Sequence, residues 1–153
     1  MILQTGLIGT SADFVMASSN VTLDTAVMGQ NLGFELVKRG YDVFLSNNRG
    51  NEYALNHTTL NPKDRAFWRW TFGDIGQEDT PTIVDYVLNV TSASKVHFVG
   101  HSQGTAVMFV LLSTNQSAVS EKLASFVAIS PITRIGNAKT SFRYLLKLLT
   151  PVL

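Results

Sequence analysis

The chain predicts a single α/β domain: a mostly parallel sheet with helices on both faces. Two observations carry this. Apolar runs at residues 1–4, 41–45, 96–99 and 124–129 alternate with segments of helical periodicity, giving strand, helix, strand, helix, strand, helix, strand. Short continuous apolar runs of this kind suit parallel strands covered on both sides. The third run then enters Gly100-His101-Ser102-Gln103-Gly104 and passes directly into the apolar helical stretch Thr105-Ala106-Val107-Met108-Phe109-Val110-Leu111-Leu112. A serine between small residues at such a junction lets the chain turn sharply and lifts its hydroxyl above the sheet.

Composition narrows the field. A chain of 153 residues with 45% hydrophobic side chains has enough apolar material for one compact domain. Twelve basic residues stand against eleven acidic ones, a net charge of +1, which gives no support to a nucleic-acid surface. With no cysteine there is neither a disulfide scaffold nor a thiolate metal site. No apolar run reaches transmembrane length. The opening Met1-Ile2-Leu3-Gln4-Thr5-Gly6 lacks the basic segment and apolar core of a signal peptide. His97 and His101 fall in a strand and a turn rather than on one helix face, so no metal is expected, and the glycine pattern of a nucleotide loop is missing.

Taken in order, residues 1–4 read as a strand that breaks at Thr5-Gly6-Leu7, which puts the amides of Gly6 and Leu7 where an oxyanion donor is drawn from in folds with such an elbow. The segment from Thr25 onward ends as a helix with Leu32, Leu36 and Arg39 on one face and Gly40 beyond the last turn; Gly29 and Gly33 weaken its earlier part. Residues 41–45 form the next strand, and Ser46-Asn47-Asn48-Arg49-Gly50-Asn51 its polar exit, with Arg49 either near a site or in a structural ion pair. The cluster of Phe67, Trp68, Trp70 and Phe72 reads as packing, with a lipid-facing role as the alternative. Thr80 is the expected cap and Pro81 the first residue of a helix whose apolar face is Ile83, Val84, Val87 and Leu88, ending in the polar turn at residues 89–91. Residues 124–129 read as a buried strand stopped by Ser130-Pro131, and residues 140–149 as the start of another helix.

Ser102 is the candidate nucleophile. A serine needs a histidine to take its proton and a carboxylate to orient that imidazole, and after an elbow of this type they follow in the order serine, acid, histidine. Beyond Ser102 the only carboxylate side chain is Glu121, and there is no histidine. Acid and base are therefore absent from this sequence, which leaves two expectations: part of a longer enzyme, or a catalytically inactive protein.

The landmarks Leu3-Gln4-Thr5-Gly6-Leu7, Gly40-Tyr41-Asp42-Val43, Ser46 through Asn51, Phe67-Trp68 with Thr71-Phe72, Asp79 with Pro81 and Asp85-Tyr86, and Gly100 through Thr105 recur in one order over most of residues 1–135. On these residues the chain resembles the acid lipase family of the α/β-hydrolases, which includes gastric and lysosomal lipases. The resemblance implies an incomplete α/β-hydrolase fold, with residues 1–135 as a partial core and 136–153 as the beginning of a cap. It implies Ser102 as nucleophile and the backbone amides of Leu7 and Gln103 as the oxyanion hole. The implied reaction is hydrolysis of a lipid ester, a triacylglycerol or a steryl ester, through a serine acyl-enzyme. No cofactor is implied, and the full-length form would touch a lipid interface. A full-length relative would be secreted or lysosomal, which the sequons at Asn20, Asn56, Asn89 and Asn115 fit. Thr5 stands where the family usually carries histidine. The alternatives are a truncated hydrolase-like protein that binds lipid or protein without turnover, and another carboxylesterase class on the same elbow.

Overall fold

The computed structural model of the chain describes residues 1–16, 32–114 and 117–134. Four strands, β1 (Ile2–Gln4), β2 (Phe44–Ser46), β3 (Val96–His101) and β4 (Leu123–Ile129), form one sheet in the order β2-β1-β3-β4. Every pairing is parallel, with Leu3 opposite Leu45 on one side and Val99 on the other. Between the strands lie α1 (Leu32–Lys38), α2 (Phe72–Asp74), α3 (Thr80–Thr91), α4 (Gln103–Ser113) and α5 (Ser117–Ser120).

Adjacent strand residues point to opposite faces, so β1 and β3 feed two cores at once. Ile2, Val96 and Phe98 pack with Val84 and Val87 of α3, Met108 and Leu111 of α4, and Val119 of α5. Leu3 and Val99 pack on the other face with Phe14, against Leu32 and Leu36 of α1, Leu45 of β2 and Val43 just before it. The expected parallel sheet with helices on both faces is what the chain forms.

Three elements differ from the sequence expectation. The second strand occupies Phe44–Ser46 rather than residues 41–45. Gly40, at φ 86°, closes α1, and the Gly40 and Tyr41 amides donate to Val37 O and Leu36 O. Tyr41 is thus committed to the helix end, and ladder pairing begins when Phe44 N donates to Met1 O. The helix expected to start at Thr80 is capped nine residues earlier by Thr71, whose hydroxyl accepts from Gly73 N and Asp74 N while its own amide donates to the Asp74 carboxylate. A single π turn, Ile75–Asp79, joins α2 to α3. Pro81 has no amide to give to the preceding turn, and the wider winding carries the helix past it. Thr80 is fully buried inside this run and donates to Ile75 O. Finally β4, expected to be buried, pairs only with β3 among the described residues, and Val127 and Ile129 remain 49% and 38% exposed.

The aromatic cluster splits. Phe67 is buried, whereas Trp68 and Phe72 each keep 47% of their surface exposed. Trp70 and Trp68 lie over Gly50 so closely that a Cβ there would fall 2.4 and 2.9 Å from their rings. The early part of the first helix, the sequons at Asn20 and Asn115, the helix expected at residues 140–149 and the segment 136–153 lie outside the described residues.

Candidate active site

From β1 the chain moves outward to β2, then returns across β1 to place β3 on its other side. The order of strands therefore reverses between β1 and β3, and in an open parallel sheet that reversal leaves a crevice at the carboxyl ends, the usual place for a ligand. The residues leaving β1 there are Thr5, Gly6 and Leu7; those leaving β3 are His101 and Ser102. The structure brings them together. A Cβ on Gly6 would lie 3.2 Å from Ser102 Cβ and 3.5 Å from Ser102 Oγ.

Ser102 itself sits at φ 54°, ψ −117°, a conformation that costs a residue with a side chain about 1–3 kcal/mol. The surroundings enforce it. Ser102 N donates to Ile129 O of β4 at 2.9 Å, and Ser102 O accepts from both Thr105 N at 2.9 Å and Thr105 Oγ1 at 2.6 Å. Both glycines of the motif are needed for contact rather than for backbone freedom. A Cβ at Gly100 would lie 2.6 Å from Gly104 O, and one at Gly104 would lie 2.6 Å from Gln4 O and 2.9 Å from Thr5 O. The first lets the elbow close on itself, and the second lets α4 begin against β1. The partial positive charge of the α4 start lies directly after Ser102, where Gln103 supplies the first helical residue.

The histidines are elsewhere. His97 Nδ1 shares a 2.8 Å hydrogen bond with Ser125 Oγ, and its ring meets Tyr41 edge-on. His57 accepts from the amides of Thr59 and Leu60 and so organises a turn. His101 is exposed beside the elbow, its Nδ1 3.6 Å from the Cβ position of Gly6. None of these contacts joins an imidazole to Ser102 Oγ. Glu121, the one later carboxylate, lies in the turn before β4. Among the described residues no three histidine, aspartate or glutamate side chains gather as a metal-binding group, and no helix is long and apolar enough to cross a membrane.

Arg49 forms the structural ion pair. Its Nε donates to Asp79 at 2.7 Å and its Nη2 reaches both Asp79 and Glu78, tying the exit of β2 to the π turn. The hydrogen bonds it donates to Asp79 hold the guanidinium even more firmly protonated than usual. A cavity of about 310 Å³ lies beside this pair, lined by Asn47, Arg49, Asn56 and Asp79 among others, and does not include Ser102. Its charged walls neutralise each other, and its one hydroxyl, Thr82 Oγ1, donates to Glu78 O. The crevice at Ser102, which holds a strained serine at the strand-order reversal, is the better candidate.

One feature escaped the sequence reading. Gln4, fully buried at the end of β1, accepts from Ser46 Oγ and donates to Asn48 Oδ1, and Asn48 Nδ2 lies 3.5 Å from Gly6 O. The only signal in the sequence is an amide side chain where an apolar strand residue would be expected. Thr5 is also buried, and its hydroxyl has no hydrogen-bond partner among the described residues.

A family profile described as the alpha/beta hydrolase fold matches residues 1–145. The chain belongs to the alpha/beta hydrolase fold family. Within that family it is similar to lipases: 41% identical over 130 residues to Lipase 1 of Drosophila melanogaster, covering 85% of this chain and 27% of that protein. It is 35% identical over 145 residues to gastric triacylglycerol lipase of Bos taurus, covering 95% of this chain and 34% of that lipase. A third relative, Lipase lipl-5 of Caenorhabditis elegans, is 34% identical over 139 residues, 91% of this chain and 32% of the relative. The resemblance to acid lipases read from the motifs is borne out. This alpha/beta hydrolase chain spans about a third of the length of the curated relatives it matches.

Proposed function

We propose that this chain carries the nucleophile and oxyanion hole of a serine lipid-ester hydrolase. Ser102 Oγ attacks the ester carbonyl, whose oxygen takes up negative charge and is received by the backbone amides of Leu7 and Gln103. The alcohol leaves, and water then hydrolyses the acyl-enzyme. The observation that carries the reading is the strained Ser102, held at φ 54° across the strand-order reversal from Gly6 and Leu7. Support for an apolar acyl substrate comes from Leu7 and Ile8, 49% and 90% exposed in the loop that follows Gly6, and from the relatives named triacylglycerol lipases.

Residues 1–153 contain no histidine after Ser102, so turnover is assigned to a longer protein that includes this chain and supplies the base and its orienting acid. In that protein residues 136–153 would open a cap, and a secreted or lysosomal location agrees with the relatives called gastric lipases and with the exposed sequons at Asn56 and Asn89. Hydrolysis of triacylglycerol and steryl ester emulsions by that longer protein tests the reading. Ser102→Ala should remove turnover with the fold intact, and turnover that survives the substitution would overturn the assignment. The second reading is a hydrolase-like protein that binds lipid or protein without ester turnover, through apolar side chains such as Val127 and Ile129 that stay exposed on β4. Reversible lipid binding by a protein ending at Leu153, without ester turnover, would favour it over the first.

A further inference from the structure

The amide of Leu7 belongs to the same planar peptide unit as the carbonyl of Gly6, so whatever fixes Gly6 O also aims Leu7 N–H. Two donors converge on that oxygen: Gly9 N at 3.3 Å and Asn48 Nδ2 at 3.5 Å. Asn48 in turn is oriented by a buried relay whose polarity has one solution. A carbonyl oxygen only accepts, so Asn48 must turn Nδ2 toward Gly6 and Oδ1 toward Gln4. Gln4 must then present Nε2 to Asn48 and Oε1 to Ser46, whose hydroxyl donates. Gln4, Ser46 and Asn48 are 0%, 6% and 5% exposed, so water does not compete for these positions. They come from the exits of β1 and β2, one strand away from the nucleophile.

We propose that Asn48, oriented by Gln4 and Ser46, is a positioning residue for the Leu7 oxyanion donor; the inference rests on the role given to Leu7 above. It acts only as charge develops. When Leu7 N–H donates to an oxyanion, its peptide polarises and Gly6 O becomes a stronger acceptor, so the long contacts to Asn48 and Gly9 shorten in the charged state. A polar relay buried at these strand ends costs desolvation in the resting protein, and its return comes during reaction.

The test follows covalent labelling of Ser102 in the purified chain by an alkyl fluorophosphonate at alkaline pH. There hydroxide takes the serine proton, the Oγ–P bond forms, the P–F bond breaks and fluoride departs, while the phosphoryl oxygen stands in for the ester oxyanion. Ser102→Ala should abolish labelling. Asn48→Asp keeps the acceptor toward Gln4 and replaces the donor toward Gly6 with an oxygen; it should slow labelling on the order of tenfold, less than loss of a direct oxyanion donor. Asn48→Leu, which removes both groups, should do the same. The adduct's phosphorus NMR signal should move in both variants, a change that a purely structural role would not produce, while the circular dichroism spectrum is unchanged. Leu7→Pro, which deletes the amide itself, separates the two readings. If it slows labelling and the Asn48 variants do not, the positioning role is overturned and the oxyanion assignment stands. If Leu7→Pro has no effect while Ser102→Ala abolishes labelling, the assignment of Leu7 fails and the inference falls with it.

Discussion

Ser102 and its two flanking glycines are constrained for different reasons, and substitution separates them. The serine holds a backbone conformation that favours glycine, so Ser102→Gly should raise the thermal midpoint, by an amount equivalent to about 1 kcal/mol, while removing the hydroxyl. A scanning calorimetry trace shows whether the elbow stores strain. Gly100→Ala and Gly104→Ala should do the reverse. Each added methyl meets backbone atoms at 2.6 Å, and such overpacking costs about 1–3 kcal/mol or more because no rotamer change relieves it. A denaturant midpoint equal to wild type in Gly104→Ala would mean that α4 does not approach β1 this closely.

Among the elements, the helical run from Phe72 to Thr91 carries the plainest pH dependence. The Thr71 backbone and side-chain hydrogen bonds hold the Asp74 carboxyl below its ordinary value of 3.8. A depressed folded value means that the unfolded chain binds the proton more readily, so the cap's contribution is complete above that ordinary value and fades as the pH falls through the folded one. Thr71→Ala should lower stability by about 1 kcal/mol at neutral pH, with a smaller difference from wild type in strong acid. Urea titrations at the two pH values measure both quantities. What could be read from the sequence follows the same division between local and distant causes. The β1 exit, the nucleophile strand and the end of α1 were legible because apolar periodicity and a glycine at the right place are local signals. Thr80-Pro81 gave a locally correct start signal that the fold overrides, since a π turn lets a helix begun at Thr71 continue through it. The Gln4–Asn48 relay was not legible, because its partners are 44 residues apart and no periodicity links them. Nor was the choice at Arg49, which depended on where Asp79 would come to lie.

For the molecule as a whole, the sheet formed by the described residues has an open side along β4. Val127 and Ile129 are exposed on a strand that pairs with one neighbour among the described residues, and unpaired apolar edges recruit other chains. The purified chain should therefore associate as its concentration rises, and Val127→Lys should shift it toward monomer in sedimentation velocity. An unchanged distribution would mean that the edge is covered in solution.

The tie between Ser102 and β4 also sets an order of events in time. The hydrogen bond from Ser102 N to Ile129 O, and that from Ile132 N to Thr105 Oγ1, join the elbow to residues synthesised well after it. On a ribosome the serine emerges with only its local contacts to Thr105, and the hydrogen bond that completes the strained turn is added when β4 follows and pairs with β3. Reactivity toward a fluorophosphonate should therefore be missing from nascent chains stalled before Leu123 is exposed and appear once Ile132 has cleared the exit tunnel.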